Sequence, residues 1–253
     1  MGKLNLEFKP IKKGTEYAVS LDWDSNIIDD IEVPATYNGL PVTAIKAEGF
    51  WYSVGSIKLP DSIKSIGYKA FEDNRELKGI DFPGGLTSIG YSAFKNCGLT
   101  SVFIPEKIKN VGNPQAFSSC VDLAGIEVSP KNKALTGEGN CLIEIKTGKL
   151  LCGCKTSVIP YYVTSIDFHA FFGCSGLTEI IIPDSVTEIG GFAFSKCSNL
   201  SKLTIPAGVN IKGFAFRDTE NITEIFFNGD KAEWDLIDKQ YNPELSKAKV
   251  HFK

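Results

Sequence analysis

Residues 89–105 read IGYSAFKNCGLTSVFIP, and further along residues 189–206 read IGGFAFSKCSNLSKLTIP. The shared phrase is a repeat, and aligning on its small residue plus phenylalanine exposes the period. That pair stands at Gly49-Phe50, Ala70-Phe71, Ala93-Phe94, Ala116-Phe117, Ala170-Phe171, Ala193-Phe194 and Ala215-Phe216, with Phe-to-Phe steps of 21, 23, 23, 54, 23 and 22. The long step is one period plus an insertion of about thirty residues. Ile45, Ile66, Ile89, Val111, Ile166, Ile189 and Ile211 hold one further column, and an apolar-Pro step recurs from Val33-Pro34 to Ile205-Pro206. A fixed period of this length marks an architecture of stacked repeats.

Each unit reads L-x-x-V-x-I-P, then x-x-I-x-x-I-G, then x-x-A-F-x-x-C. The first piece alternates apolar and polar residues, as a short half-buried strand does. Its proline ends the strand, because it cannot donate to the next ladder position. The glycine after the second Ile allows a turn. The Ala-Phe piece is too short for an independent helix and predicts a single helical turn. So small a unit cannot bury its apolar face alone, so neighbours stack, with strand beside parallel strand.

Composition narrows the function classes. The chain of 253 residues is 43% hydrophobic and 23% charged, as ordinary globular proteins are. A net charge of -3 with no basic run argues against a dedicated binder of nucleic acid or anionic membrane. No apolar run approaches the ~20 residues of a bilayer-crossing helix, so no membrane-spanning segment is expected. The opening MGKLNLEFKPIKKG lacks the apolar stretch of a secretory signal, which fits either a cytoplasmic chain or one that begins after a removed leader.

The columns resemble those of the BspA-like, or Treponema-type, leucine-rich repeats, and LTEIIIPDSVTEIGGFAFSKCSNL at 177–200 could stand for the family consensus. The likeness covers nearly the whole chain. IEVPATYNGLPVTAI looks like the lead-in from an N-terminal β cap. VSPKNKALTGEGNCLIEIKTGKLLCGCKTSVIP is similar to an extended repeat carrying a hairpin, and IFFNGDKAEWDLIDKQY to a closing turn with Trp234 in its place. The resemblance implies one solenoid domain over 1–253, with cap and lead-in at 1–44, repeats at 45–228, a hairpin insertion at about 129–157 and a C-terminal cap at 229–253. It implies a leucine-rich-repeat solenoid, a curved right-handed α/β-type horseshoe or arc. A parallel β-sheet would line the concave face, with short turns or single helical turns on the convex one. Surface-exposed or secreted proteins that bind host proteins or other cells are the functional theme it brings.

Cys97, Cys120, Cys174 and Cys197 each lie three residues after a repeat Phe, where other copies have Ser53, Asn74 and Thr219. A column that accepts Cys, Ser, Asn and Thr reads as a small, half-buried peg. The alternative is a disulfide between adjacent rungs, Cys97 with Cys120 or Cys174 with Cys197. Cys141, Cys152 and Cys154 sit in the insertion without a zinc spacing, and an odd total of seven does not suit a complete disulfide framework.

Nothing else carries chemistry. His169 falls on a repeat turn, and His251, in the final strand-like KVHFK, has no partner near it in sequence. DWDSNIIDD at 22–30 has calcium-loop spacing at its start but lacks the central glycine and closing glutamate, so it reads as a hairpin turn. Asn199 and Asn221 match the glycosylation sequon and read as turn residues. No catalytic residue, metal or cofactor is expected.

In the V-x-I strand the middle residue points out of the sheet. That column runs Glu32, Lys58, Asp81, Phe103, Glu127, Val158, Ile181, Thr204 and Phe226, charged at first and apolar later. Phe103, Val158, Ile181, Thr204 and Phe226 are the candidate ligand-binding residues, because exposed apolar continuity marks interaction sites. The preceding column, which includes Glu179, Lys202 and Glu224, would form a polar rim. The hairpin around Thr147-Gly148 is a second candidate. The reading is a non-enzymatic protein-binding module, adhesin-like and at the cell surface or secreted. Its partner would be an extracellular-matrix or host-cell protein held on the concave sheet. The alternative is a structural or self-associating solenoid with no host ligand.

Overall fold

A computed structural model describes residues 6–21, 30–51, 54–112 and 115–253. The aspartate-rich stretch at 22–29 and Ser53 lie outside them. The chain divides into two compact units, residues 1–120 with 128–133, and residues 121–127 with 134–253.

In the first unit the strands Leu6–Ile11 and Glu16–Leu21 form the expected β cap as an antiparallel pair. Glu16–Leu21 then lies parallel to Leu40–Ile45, and from there a ladder climbs through Ser65–Ile66, Ser88–Ile89 and Asn110–Val111. These two-residue strands fall on the Ile-Gly step, which the sequence reading treated as a turn. The V-x-I strands form a separate ladder, in which Ile31–Glu32 pairs in parallel with Ile57–Lys58. Coils therefore contribute to two ladders, although residues 79–82 and 157–159, at the V-x-I position of their coils, form no strand.

The second unit repeats the plan. One sheet runs in the order Leu135–Thr136, Leu142–Glu144, Lys149–Cys152, Ser165–Ile166, Glu188–Ile189, Asn210–Ile211. The other is fully parallel, Glu179–Ile181, Lys202–Pro206, Glu224–Asn228, Lys249–Phe252. The predicted hairpin is present, Leu142–Glu144 against Lys149–Cys152, but it is built into the ladder because Lys149–Cys152 continues in parallel into Ser165–Ile166. The closing segment folds as a short helix, Lys231–Asp235, fixed by a reciprocal capping box between Asp230 and Glu233. Trp234 is buried against Phe227 at 5.2 Å between ring centroids.

The Ala-Phe pieces are turns without regular helix. They make a third inter-coil contact, since the Phe71 N–H donates to the Ala93 carbonyl at 2.7 Å and the Phe171 N–H to the Ala193 carbonyl at 2.7 Å. The phenylalanines are fully buried and stack rung on rung. Phe71 lies 5.1 Å from Phe94 in the first unit, and Phe194 lies 4.9 Å from Phe171 and 5.3 Å from Phe216 in the second. Offset aromatic pairs at such spacing add to the area they bury. The column glycines serve close approach. Gly90 and Gly190 have ordinary φ, but a Cβ at Gly190 would stand 2.6 Å from the Phe168 nitrogen, and one at Gly90 2.5 Å from the Gly67 carbonyl carbon.

All seven cysteines are buried thiols and none is bridged to another, so the inter-rung disulfide is not formed. The column is more than a peg. Cys97 Sγ donates to the Phe71 carbonyl at 2.9 Å, Cys120 Sγ to Phe94 at 3.1 Å and Cys197 Sγ to Phe171 at 3.1 Å. Thr219 Oγ1 does the same to Phe194 at 2.7 Å, and Asn74 Nδ2 to Phe50 at 2.7 Å. What the column selects is a small donor, which is why Cys, Thr and Asn share it. The sequon asparagines act similarly at the surface, Asn199 reaching the Ser175 carbonyl and Asn221 that of Ser198.

Three predictions follow from this packing. Cys197→Ala should lower the unfolding free energy by about 1–2 kcal/mol by removing the inter-coil hydrogen bond to the Phe171 carbonyl and the packing of the thiol, while Cys197→Thr retains most of it in urea titrations. Gly190→Ala should cost about 1–3 kcal/mol through overpacking against backbone, whereas Gly84→Ala, with nothing within 4 Å of the added carbon, should be near neutral. Burial pushes the Cys141 and Cys174 thiols up to about 12 and holds Cys97 and Cys197 well above the ordinary range. An unfolded thiol ionises near ~8.5, so the unfolded state loses protons first and the thiols' contribution is complete only below that pH. Stability should fall as pH rises from there towards 12, by about 1.4 kcal/mol per unit per thiol. Urea midpoints across that range should flatten in a Cys97→Ser/Cys174→Ser/Cys197→Ser variant.

Candidate binding face

The four-stranded parallel sheet of the second unit sets the candidate side chains. Its register aligns Glu179, Lys202, Glu224 and Lys249 in one row, Ile180, Leu203, Ile225 and Val250 in the next, and Ile181, Thr204, Phe226 and His251 in the third. The middle row is directed into the core, where Ile180, Leu203 and Ile225 are buried. The third row faces out, as the period-two alternation predicts. Ile181 is 64% exposed and Phe226 41%, with Thr204 half-buried between them.

Val158 belongs to the preceding coil and is 72% exposed. Its segment, 157–159, is not a strand and does not join the sheet, so Glu179–Ile181 is the sheet's first strand. A groove of about 350 Å³ lies between them, lined among others by Lys155, Val158, Thr178, Glu179 and Ile181. Phe103, the remaining candidate, is on the Ser101–Ile104 strand and 49% exposed. The second unit thus brings Val158, Ile181, Thr204 and Phe226 to one face, and Phe103 is exposed in its own rung.

The sequence reading missed the fourth member of the outward row. His251 comes from the final strand, 25 residues beyond Phe226, and stacks on it with ring centroids 4.8 Å apart and an interplanar angle of 12°. Its Nε2 lies 3.5 Å from Glu224 Oε1. The repeat pattern gave no sign of it, because the final strand follows the closing helix and carries none of the Pro, Gly or Phe columns. The row expected to form a polar rim is charged and its signs alternate, with Lys202 Nζ 3.9 Å from Glu224 Oε2.

A second exposed row was also missed. On the Ala-Phe side of the second unit, Phe168, Phe192, Phe214 and Tyr241 follow one another at centroid distances of 5.8, 5.3 and 5.3 Å, with the Arg217 guanidinium 5.6 Å over Phe214. His169 packs into this row, 4.6 Å from Phe172 and 5.3 Å from Phe192. Among the described residues no group of three or more His, Cys, Asp or Glu side chains converges to hold a metal ion. No helix there is long and apolar enough to cross a membrane.

The stacked coils, their two ladders and the buried Phe column agree with a match in sequence. The profile of the BspA type leucine-rich repeat region matches residues 43–141 and 150–234, in six copies. The chain belongs to the BspA-type leucine-rich repeat family. No curated protein matches it in sequence. Among solved structures, a leucine-rich repeat protein from Eubacterium ventriosum is similar with a TM-score of 0.60 at 20% identity, over 93% of this chain and 79% of that one. Another from Bacteroides ovatus gives a TM-score of 0.56 at 19% identity, over 100% of this chain and 76% of that one. At those identities the likeness speaks for the fold. The family and its solenoid fold suit a repeat protein for protein interaction.

Proposed function

We propose that the chain is a non-enzymatic protein-binding module whose second unit takes a protein ligand on the face formed by Val158, Ile181, Thr204 and Phe226. The observation that carries this is the exposure of Val158, Ile181 and Phe226 at one face, Val158 on the coil beside the parallel sheet and Ile181 and Phe226 on its first and third strands. Leaving them in water forfeits ~1.5–3 kcal/mol each that burial would return, and a partner surface is what returns it. The charged row beside them, Glu179, Lys202 and Glu224, fits a rim that sets orientation and register. Phe103 offers a further anchor on its own rung. Membership of a family of bacterial surface repeats, as the sequence resemblance implies, supports an adhesin-like protein at the cell surface or secreted, with an extracellular-matrix or host-cell protein as partner.

The test is surface plasmon resonance of the whole chain against a panel of extracellular-matrix proteins, beside the variants Ile181→Asp/Phe226→Asp and Phe103→Asp. The expected result is saturable binding that the double variant weakens by about tenfold or more while its circular dichroism stays unchanged. Binding that survives the double variant would move the site off this face. No binding across the panel, together with concentration-dependent self-association that the double variant abolishes, would turn the reading towards a self-associating solenoid.

A further inference from the structure

The final strand, Lys249–Phe252, pairs with Glu224–Asn228 on one side and stands last in its sheet. The Lys249 N–H donates to the Thr223 carbonyl at 2.9 Å, so Lys249 and His251 turn their backbone groups into the sheet. Val250 and Phe252 turn theirs to the open side, where they present donors and acceptors at strand spacing. The core column records the same opening. Ile182, Ile205 and Phe227 are each at most 1% exposed, and Phe252, which continues that column in register with Phe227, is 42% exposed.

The rungs already in place show what a neighbour must look like. Opposite each apolar residue of the inward rows stands another, Ile180, Leu203, Ile225, Val250, and in the rim row the signs alternate as Glu179, Lys202, Glu224, Lys249. A strand added to this edge in the same register would set an acidic residue against Lys249 and apolar residues against Val250 and Phe252. Self-pairing of the edge is disfavoured, because a second copy of this strand would bring its own Lys249, His251 and Lys253 against the same basic residues.

We propose that the outer edge of Lys249–Phe252 is a docking site for an extended segment of a partner protein, reading acidic–apolar–any–apolar and running parallel to it. Affinity comes from main-chain hydrogen bonds and specificity from the Lys249 charge and the half-open Phe252 column. The strand also carries His251 of the outward row, but the edge offers backbone where that face offers side chains.

Fluorescence anisotropy of the whole chain with a labelled peptide Gly-Thr-Glu-Ile-Thr-Val-Asn-Gly tests it, with a control peptide carrying Lys in place of Glu. The acidic peptide should bind saturably. Lys249→Glu should weaken it by about fivefold and confer binding of the Lys peptide, and Phe252→Ala should weaken both, while Ile181→Asp leaves the titration unchanged. These sites are exposed, so the variants keep the fold, and circular dichroism checks that. Absence of saturable binding, indifference to the charge at Lys249, or loss with Ile181→Asp would each overturn the proposal. Dimerisation of the chain alone that Lys249→Glu abolishes would also overturn it, in favour of a second copy as occupant.

Discussion

In five coils the buried carbonyl of the repeat Phe, at Phe50, Phe71, Phe94, Phe171 and Phe194, accepts a hydrogen bond from a side chain of the next coil. The Phe turns its ring into the core, and its carbonyl also accepts from the N–H three residues on in its own coil, as Cys97 to Phe94, Cys174 to Phe171 and Cys197 to Phe194. The side-chain donor from the following rung is Cys97, Cys120, Cys197, Thr219 or Asn74. The side chain supplies a second hydrogen bond to a carbonyl that has two lone pairs, and in doing so ties one coil to the next. The ring stack, the Ala-Phe ladder and the Ile-Gly ladder all depend on neighbouring coils being held at this separation. The same separation explains the glycines at 67, 90 and 190, whose neighbours' backbones stand where a Cβ would be.

The turn that carries the Phe is strained. The residue before the Ala-Phe pair has positive φ at Lys69, Ser92, His169, Phe192 and Phe214. For a non-glycine residue this region costs ~1–2 kcal/mol, and a bulky aromatic is an unusual occupant. Phe192 and Phe214 recover part of the cost by stacking on each other at 5.3 Å, and Phe214 also packs against Tyr241. The aromatic row on that side of the second unit is therefore a local solution to the turn as well as an exposed surface.

The repeat columns made the coil legible because every rung places the same residue type in the same environment. Leu, Val, Ile, Ala and Phe recur where packing is identical, and the period-two alternation of V-x-I correctly put Ile181, Thr204 and Phe226 outside. Two-residue strands were not legible. Ser65–Ile66 and its counterparts are too short for alternation to show, and their glycine suggested a turn when its role is contact. The hairpin was visible as two strands, but not its incorporation in the ladder, which depends on Leu150 meeting Ile166. The final KVHFK reads as strand-like, but its pairing was not legible, because it lies beyond the last repeat and His251 owes its place to register with Phe226.

The contrast between columns bears on which surface carries function. Inward columns are nearly uniform, since each residue meets its counterpart one rung away and a change of volume is felt at once. The outward column varies at every rung, from Glu32 beside Lys58, joined by an ion pair at 3.0 Å, to Phe103, Val158, Ile181 and Phe226. Packing places no comparable demand on that column, so its residues can change without loss of the coil. β-branched and aromatic residues suit strands in general, which accounts for any one of them singly. It does not account for Val158, which is the most exposed of the set and lies on no strand. That feature fits the ligand face proposed above, whereas His251 reaches Phe226 through the parallel pairing of the final strand.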